Sequence, residues 1–200
     1  VIARLDPATG RTETLEIPGI TSELRYQPPG GGPIEVVHAA PTCIHYAERE
    51  TLIGAQVASR GLEDSPDTVR WMKRGIAYGV QKRRRTSQGW KSPDAAGREF
   101  LDLLLRYAAD RISFEDDEIT FTVPVESFDT FRDWVEQVAE SLGIRRPRIL
   151  DEPTAAVLAC REAVRTDERF LIVDFGCGTL DVSVVRVVLG AEEDRKAVQL

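Results

Sequence analysis

Cysteine, histidine and methionine are all scarce in this chain. The three cysteines are Cys43, Cys160 and Cys177, the two histidines are His38 and His45, and Met72 is the sole methionine. An odd cysteine count without any CxxC or zinc-like spacing argues against a disulfide framework or a structural zinc site, and a reduced, cytoplasmic setting is expected. The two histidines make no metal-binding pattern and read as ordinary strand or loop residues. No apolar run approaches the length of a membrane span and no signal peptide is recognised, so no membrane partner is expected. Basic residues are also in the minority, 26 against 33 acidic, for a net charge of -7. Phosphate backbones need a basic face, so nucleic acid is not expected as a partner. Lys82-Arg83-Arg84-Arg85 is a local exception and reads as a solvated loop.

What is present is an ordinary globular balance. Hydrophobic residues make up 42% and charged residues 30% of the chain, too apolar a mixture for disorder. Val1–Leu5 and Arg11–Ile17 flank a turn-rich stretch and predict a hairpin. Residues 28–33 are a proline- and glycine-rich loop. Short strands are predicted at Ile34–His38 and Cys43–Tyr46. Residues 56–91 are polar and give no clear pattern.

Ser92-Pro93-Asp94 is a helix start, and Phe100, Leu104 and Ala108 extend an apolar stripe toward Ile112. Ile119, Phe121 and Val123 alternate as in a strand that Pro124 ends. Phe128, Phe131, Val135, Val138 and Leu142 then form a helical stripe that Gly143 stops. Arg148–Leu150 is a strand, Pro153 opens a helix toward Val164, and Phe170–Phe175 and Leu180–Leu189 are apolar strands. This order predicts an α/β fold, with parallel pairing of strands joined by crossover helices.

Two segments carry chemistry. In Asp174-Phe175-Gly176-Cys177-Gly178-Thr179-Leu180-Asp181, two glycines let backbone amides approach an anion such as phosphate. Thr179 adds a hydroxyl, and Asp174 ends an apolar strand where it can hold a hydrated magnesium ion. A plain hairpin with a glycine turn is the alternative. In Asp151-Glu152-Pro153-Thr154-Ala155-Ala156, Glu152 lies between a strand end and a helix start, where α/β sheets gather ligands. Such a carboxylate can orient or deprotonate an attacking water. A helix cap is the alternative.

Ile119–Pro124, Arg148–Ala156 and Val173–Asp181, taken in order and at this spacing, resemble the DnaK-type chaperone ATPases, the seventy-kilodalton heat-shock proteins of the actin-like superfamily. The resemblance is clear over residues 92–200 and weak over 1–91. It implies an actin-like, ribonuclease-H-like α/β fold: lobe I, with a mixed sheet and flanking helices, over 1–167, and the beginning of lobe II over 168–200. It implies ATP or ADP with Mg2+ as cofactors. It makes Glu152 the catalytic glutamate and Asp174 the aspartate near magnesium and its waters. Gly176, Cys177, Gly178 and Thr179 then match the phosphate loop, with Asp181 a further acid there. Lys73 resembles the lysine that reaches the γ-phosphate, although a solvated surface lysine fits its flanks as well. Pro124 and Arg132 match positions that relay nucleotide state. Client polypeptides and co-chaperones are the implied partners.

The sequence also departs from the family pattern. Cys177 replaces a glycine, Glu126 replaces an aromatic residue, and Gly75 follows Arg74, which together indicate a divergent member. The chain opens in mid-strand at Val1, and the family's first phosphate loop and adenosine motif have no counterpart in it. A piece of a longer ATPase, inactive alone, is therefore expected. The alternatives are a non-catalytic actin-like interaction or filament-forming module, and a kinase of the same superfamily.

Overall fold

In a computed structural model the chain divides into two compact units, Val1–Ser113 and Phe114–Leu200. The structure describes residues 1–6, 8–27, 31–125, 127–159, 167–175, 180–189 and 195–199, and the side chains at 175, 189 and 195–199 are left aside.

The first unit is built from short antiparallel strands and three helices. β1 (Ala3–Asp6) and β2 (Arg11–Thr14) form the expected hairpin. Its turn is stapled by Asp6, whose carboxylate accepts bonds from the Ala8 amide and the Thr9 hydroxyl. β3 (Ser22–Tyr26) pairs with β4 (Glu35–Ala39), so the glycine-proline loop between them closes a second hairpin. The Thr14 hydroxyl ties the two hairpins together by accepting from the His38 amide at 2.9 Å.

β5 (Cys43–Tyr46) is buried along its length and lies between β6 (Thr51–Ile53) and β7 (Thr68–Arg70). Its His45 ring is buried against Thr68. The Thr68 hydroxyl donates to the Leu62 carbonyl at 2.6 Å, so it accepts from His45 Nδ1, which therefore carries the proton. That satisfied pairing makes His45 a core residue rather than a ligand.

The stretch 56–91, patternless in sequence, contains most of α1 (Ala55–Ser59), then α2 (Met72–Ala77), β8 (Arg84–Thr86) and β9 (Gly89–Lys91), besides β7. The basic run is thus partly strand, not simply a loop. α1 starts at Gly54, whose backbone has φ +58°, and a Cβ there would meet the Ile20 carbonyl oxygen at 2.4 Å. Only glycine suits that conformation and that close approach. α3 (Pro93–Tyr107) begins as predicted, with the Ser92 hydroxyl accepting from the Ala95 amide at 3.1 Å. It ends earlier than its stripe suggested. The amides of Ala108, Ala109 and Arg111 bond three residues back, so the chain tightens and leaves the helix before Ile112. Gly75 of α2 lies where a Cβ would strike the Pro93 ring at 2.5 Å, which gives this departure from the family pattern a packing reason.

The second unit contains the expected crossover. β10 (Ile119–Val123) leads through α4 (Phe128–Ser141) to β11 (Pro147–Asp151), and the two strands pair in parallel. Phe131, Val135 and Val138 are buried on one stripe of α4, as the spacing requires. Gly143, at φ +72°, ends the helix: the amides of Gly143 and Ile144 bond back to Glu140 and Ala139, and buried Ile144 seals the turn. α5 (Glu152–Ala159) follows directly. β12 (Arg169–Phe175), β13 (Leu180–Leu189) and β14 (Arg195–Gln199) make an antiparallel sheet. Val157 of α5 packs against Phe170, Ile172, Val185 and Val187 of that sheet. The fold class is therefore mixed α/β, as expected.

Candidate functional site

The parallel pair β10–β11 ends with Val123 opposite Asp151. The next residues are Pro124, buried, and Glu152, half-buried, so both stand at the carboxyl ends of neighbouring parallel strands. Adjacent strands run about 4.8 Å apart, and ligands of α/β sheets collect at this edge. The helix that starts here is capped by Asp151, whose Oδ1 accepts from the Thr154 amide at 2.8 Å. Glu152 is the first helical residue, one place earlier than the sequence suggested for the start, with Pro153 second. Asp151 makes the capping bond, while Glu152 lies in the first turn, where a carboxylate also suits the helix N-terminus, the alternative the sequence left open.

The second element is β12–β13. The register sets Asp174 opposite Asp181, Ile172 opposite Ser183 and Phe170 opposite Val185. Alternate residues of a strand share a face, so Asp174 and Asp181 stand on the face that Val157 of α5 covers. Two carboxylates at one register position offer oxygen donors to a cation. Hard oxygen donors, one or two in number with water completing the shell, suit Mg2+. Among the described residues no group of three or more histidine, cysteine or acidic side chains gathers around a point. The arrangement fits a magnesium ion held largely through water and does not fit an all-protein cage. Gly176, Cys177, Gly178 and Thr179 lie outside the described residues, as does Glu126.

The remaining predicted residues are spread over the molecule. Arg132 sits in α4, where Asp133 at 3.1 Å, Asp129 at 3.4 Å and Glu136 at 3.9 Å surround its guanidinium. Those carboxylates, Asp133 foremost, raise its pKa further. Exposed ion pairs of this kind add little to stability, so their main effect is to hold the side chain along its own helix. Lys73 lies on α2 of the first unit, exposed to solvent, whereas Glu152, Asp174 and Asp181 belong to the second.

Two features escaped the sequence. The capping role of Asp151 was open to reading, since an aspartate three residues before a helical amide is a standard cap. The other is a cluster in the first unit where Lys91 Nζ lies 4.4 Å from the centre of the Tyr46 ring and 2.6 Å from Glu99. Burial, together with the nearby Glu99 charge, pushes the Tyr46 phenol well up, so it stays protonated. No spacing rule joins residues 46, 91 and 99.

Residues 93–191 match the family model described as MreB/Mbl protein. The chain is 29% identical over 154 residues to the chaperone protein DnaK of Mycoplasmopsis agalactiae, a match covering 76% of this chain and 25% of that protein. It is 28% identical over 176 residues to a chaperone protein HscA homolog of Shewanella frigidimarina, covering 78% and 28% respectively. An HscA homolog of Actinobacillus pleuropneumoniae is 29% identical over 173 residues.

Over residues 93–191 the chain is thus similar to the MreB/Mbl family, and its mixed α/β fold is consistent with an actin-like ATPase fold. It is also similar to part of the chaperone proteins DnaK and HscA, without matching one of them in particular. The chain spans about a quarter of the length of the curated relatives it matches. No helix among the described residues is long and apolar enough to cross a membrane.

Proposed function

We propose that this chain supplies part of an ATP-hydrolysing site of the DnaK type, working in the cytoplasm, in which nucleotide state governs the handling of client polypeptides with co-chaperones. Residues 1–167 are then the first lobe and 168–200 the beginning of the second. The observation that carries the reading is the start of α5. Glu152 stands at the carboxyl edge of a parallel strand pair beside Pro124, and Asp151 takes the capping bond. A carboxylate so placed can orient a water for attack on a phosphoryl group.

In this reading ATP or ADP binds with Mg2+. Asp174 would hold that ion through water, with Asp181 across the strand pair, and the ion would supply charge neutralisation at the phosphates. Gly176, Cys177, Gly178 and Thr179 contact phosphate through backbone amides and the threonine hydroxyl. Lys73 completes the γ-phosphate contacts, and Pro124 and Arg132 pass nucleotide state onward. Phosphoryl transfer depends on positioning and electrostatics, so each clamp counts. With one phosphate loop and no adenosine motif, the chain alone is expected to bind nucleotide weakly and not turn it over.

Titration with a fluorescent ATP analogue, with and without Mg2+, tests this. Weak, Mg2+-dependent binding that Asp174→Asn reduces about tenfold, without phosphate release, is the expected result. Binding indifferent to both Mg2+ and Asp174→Asn would sink the reading of the site. Turnover by the isolated chain that Glu152→Gln abolishes would overturn the inactivity while supporting the role of Glu152.

A further inference from the structure

The first unit carries a groove of about 660 Å³, separate from the carboxylates discussed above, that the proposed ATPase chemistry does not use. Its lining comes from β7, α2, the 78–84 connection and the start of α3. Six of its residues are cations: Arg70, Arg74, Lys82, Arg83, Arg84 and Lys91. This is an unusual concentration in a chain whose net charge is -7.

The cations fall into two groups. Arg70 is paired with Asp64 at 3.0 Å, Lys91 with Glu99 at 2.6 Å, and the Arg84 guanidinium donates to the Pro66 and Ser65 carbonyls. Arg74, Lys82 and Arg83 are exposed and make no ion pair among the described residues. Between them stand the rings of Trp71 and Tyr78, 58% and 61% exposed, and the side chain of Val80. Trp71 is held in the left-handed region at φ +61°, ψ +29°. That conformation is costly for a bulky residue and is found where surrounding structure enforces it, often at ligand clamps.

The frame around the groove is fixed by polar ties. The Ser87 backbone amide and hydroxyl donate to the Asp67 carboxylate at 2.6 and 3.0 Å, and the Gln88 side-chain amide donates to the Ala47 and Glu50 carbonyls. β7 is also an edge strand of its sheet, and Val69 and Arg70 line the groove. An edge strand can accept an extended peptide as one more strand.

We propose that this groove binds a short acidic segment of a partner polypeptide, in extended form, with an apolar residue between its carboxylates. Three unpaired cations call for several carboxylates, and exposed Trp71, Tyr78 and Val80 call for an apolar side chain among them. β7 lies at the edge of its sheet, and at its exposed end, Arg70, a peptide backbone can meet that edge.

The test is fluorescence anisotropy of a labelled peptide alternating glutamate with leucine and phenylalanine, titrated with the purified chain. Binding is expected to weaken with salt, and about tenfold in the triple variant Arg74→Glu, Lys82→Glu, Arg83→Glu, whose exposed positions leave the fold intact by circular dichroism. A charge-matched peptide of glutamate and glycine is expected to bind less tightly, and a single-stranded oligonucleotide of equal charge less tightly still. Trp71 emission is expected to shift on binding, a readout that does not depend on nucleotide. Peptide binding unaffected by the triple variant overturns the proposal, as does oligonucleotide binding tighter than peptide binding. The proposal stands or falls apart from the ATPase reading, since MgATP is not its ligand.

Discussion

The first unit packs residues far apart in sequence into a buried core, yet it carries little motif signal. Ile20, Ile44, Tyr46, Ile53, Val57 and Met72 are all essentially inaccessible and span more than fifty positions. The second unit carries the recognisable motifs, and its sheet is apolar on both faces. Val185 and Val187 are buried under α5, while Leu171, Val173, Val182 and Val184 on the other face are exposed. The comparison separates two things that sequence reading tends to merge. Motifs report where chemistry is placed, and tertiary burial reports what holds a unit together.

The largest expected effect tests whether the second unit depends on its helix stripe. Phe131 is buried and its ring meets Trp134 edge-on at 6.0 Å. Phe131→Ala should cost about 3–5 kcal/mol and change Trp134 emission, read by urea unfolding in a variant with Trp71 and Trp90 replaced by Phe. A loss below 1 kcal/mol would mean that α4 is not what holds this unit.

The first unit has a matching weak point of a different kind. Gly54→Ala places a Cβ against the Ile20 carbonyl at a positive φ and should cost about 3 kcal/mol. Unfolding followed through Trp71 and Trp90, with Trp134 replaced, should show the lowered midpoint. An unchanged midpoint would deny the close approach of residues 20 and 54.

The smallest effect sharpens the chemistry of the second unit. Asp151→Ala removes the bond to the Thr154 amide and should cost about 1 kcal/mol. Glu152→Gln, by contrast, should stay within about 0.5 kcal/mol of the unaltered chain by the same measurement. The reverse order would return Glu152 to a capping role and weaken its claim on a water molecule.

Much of the second unit was legible because its elements carry local signatures. The stripe Phe131, Val135, Val138, the glycine stop at 143 and the alternation of Ile119, Phe121 and Val123 each mark an element without outside help. The hairpin at residues 1–14 and the Ser92 cap in the first unit were legible for the same reason. β7, β8 and β9 were not, because strands of three residues are too short to show a period and are fixed by partners distant in sequence. The pairing of β3 with β4 depended on a loop whose composition announces a turn but not its register. In the site, residue type and position singled out Glu152 and Asp174. The opposition of Asp174 to Asp181 and the side of the sheet they share required the strand register.

The central claim is that Asp174 and Asp181, opposite each other across β12–β13, serve a magnesium-bound nucleotide. The most direct measurement is the titration of the chain with a fluorescent ATP analogue across a series of Mg2+ concentrations, compared with Asp174→Asn. The account predicts weak binding that rises with Mg2+ and falls about tenfold in the variant. Binding that ignores Mg2+ and is equal in the two proteins would contradict it.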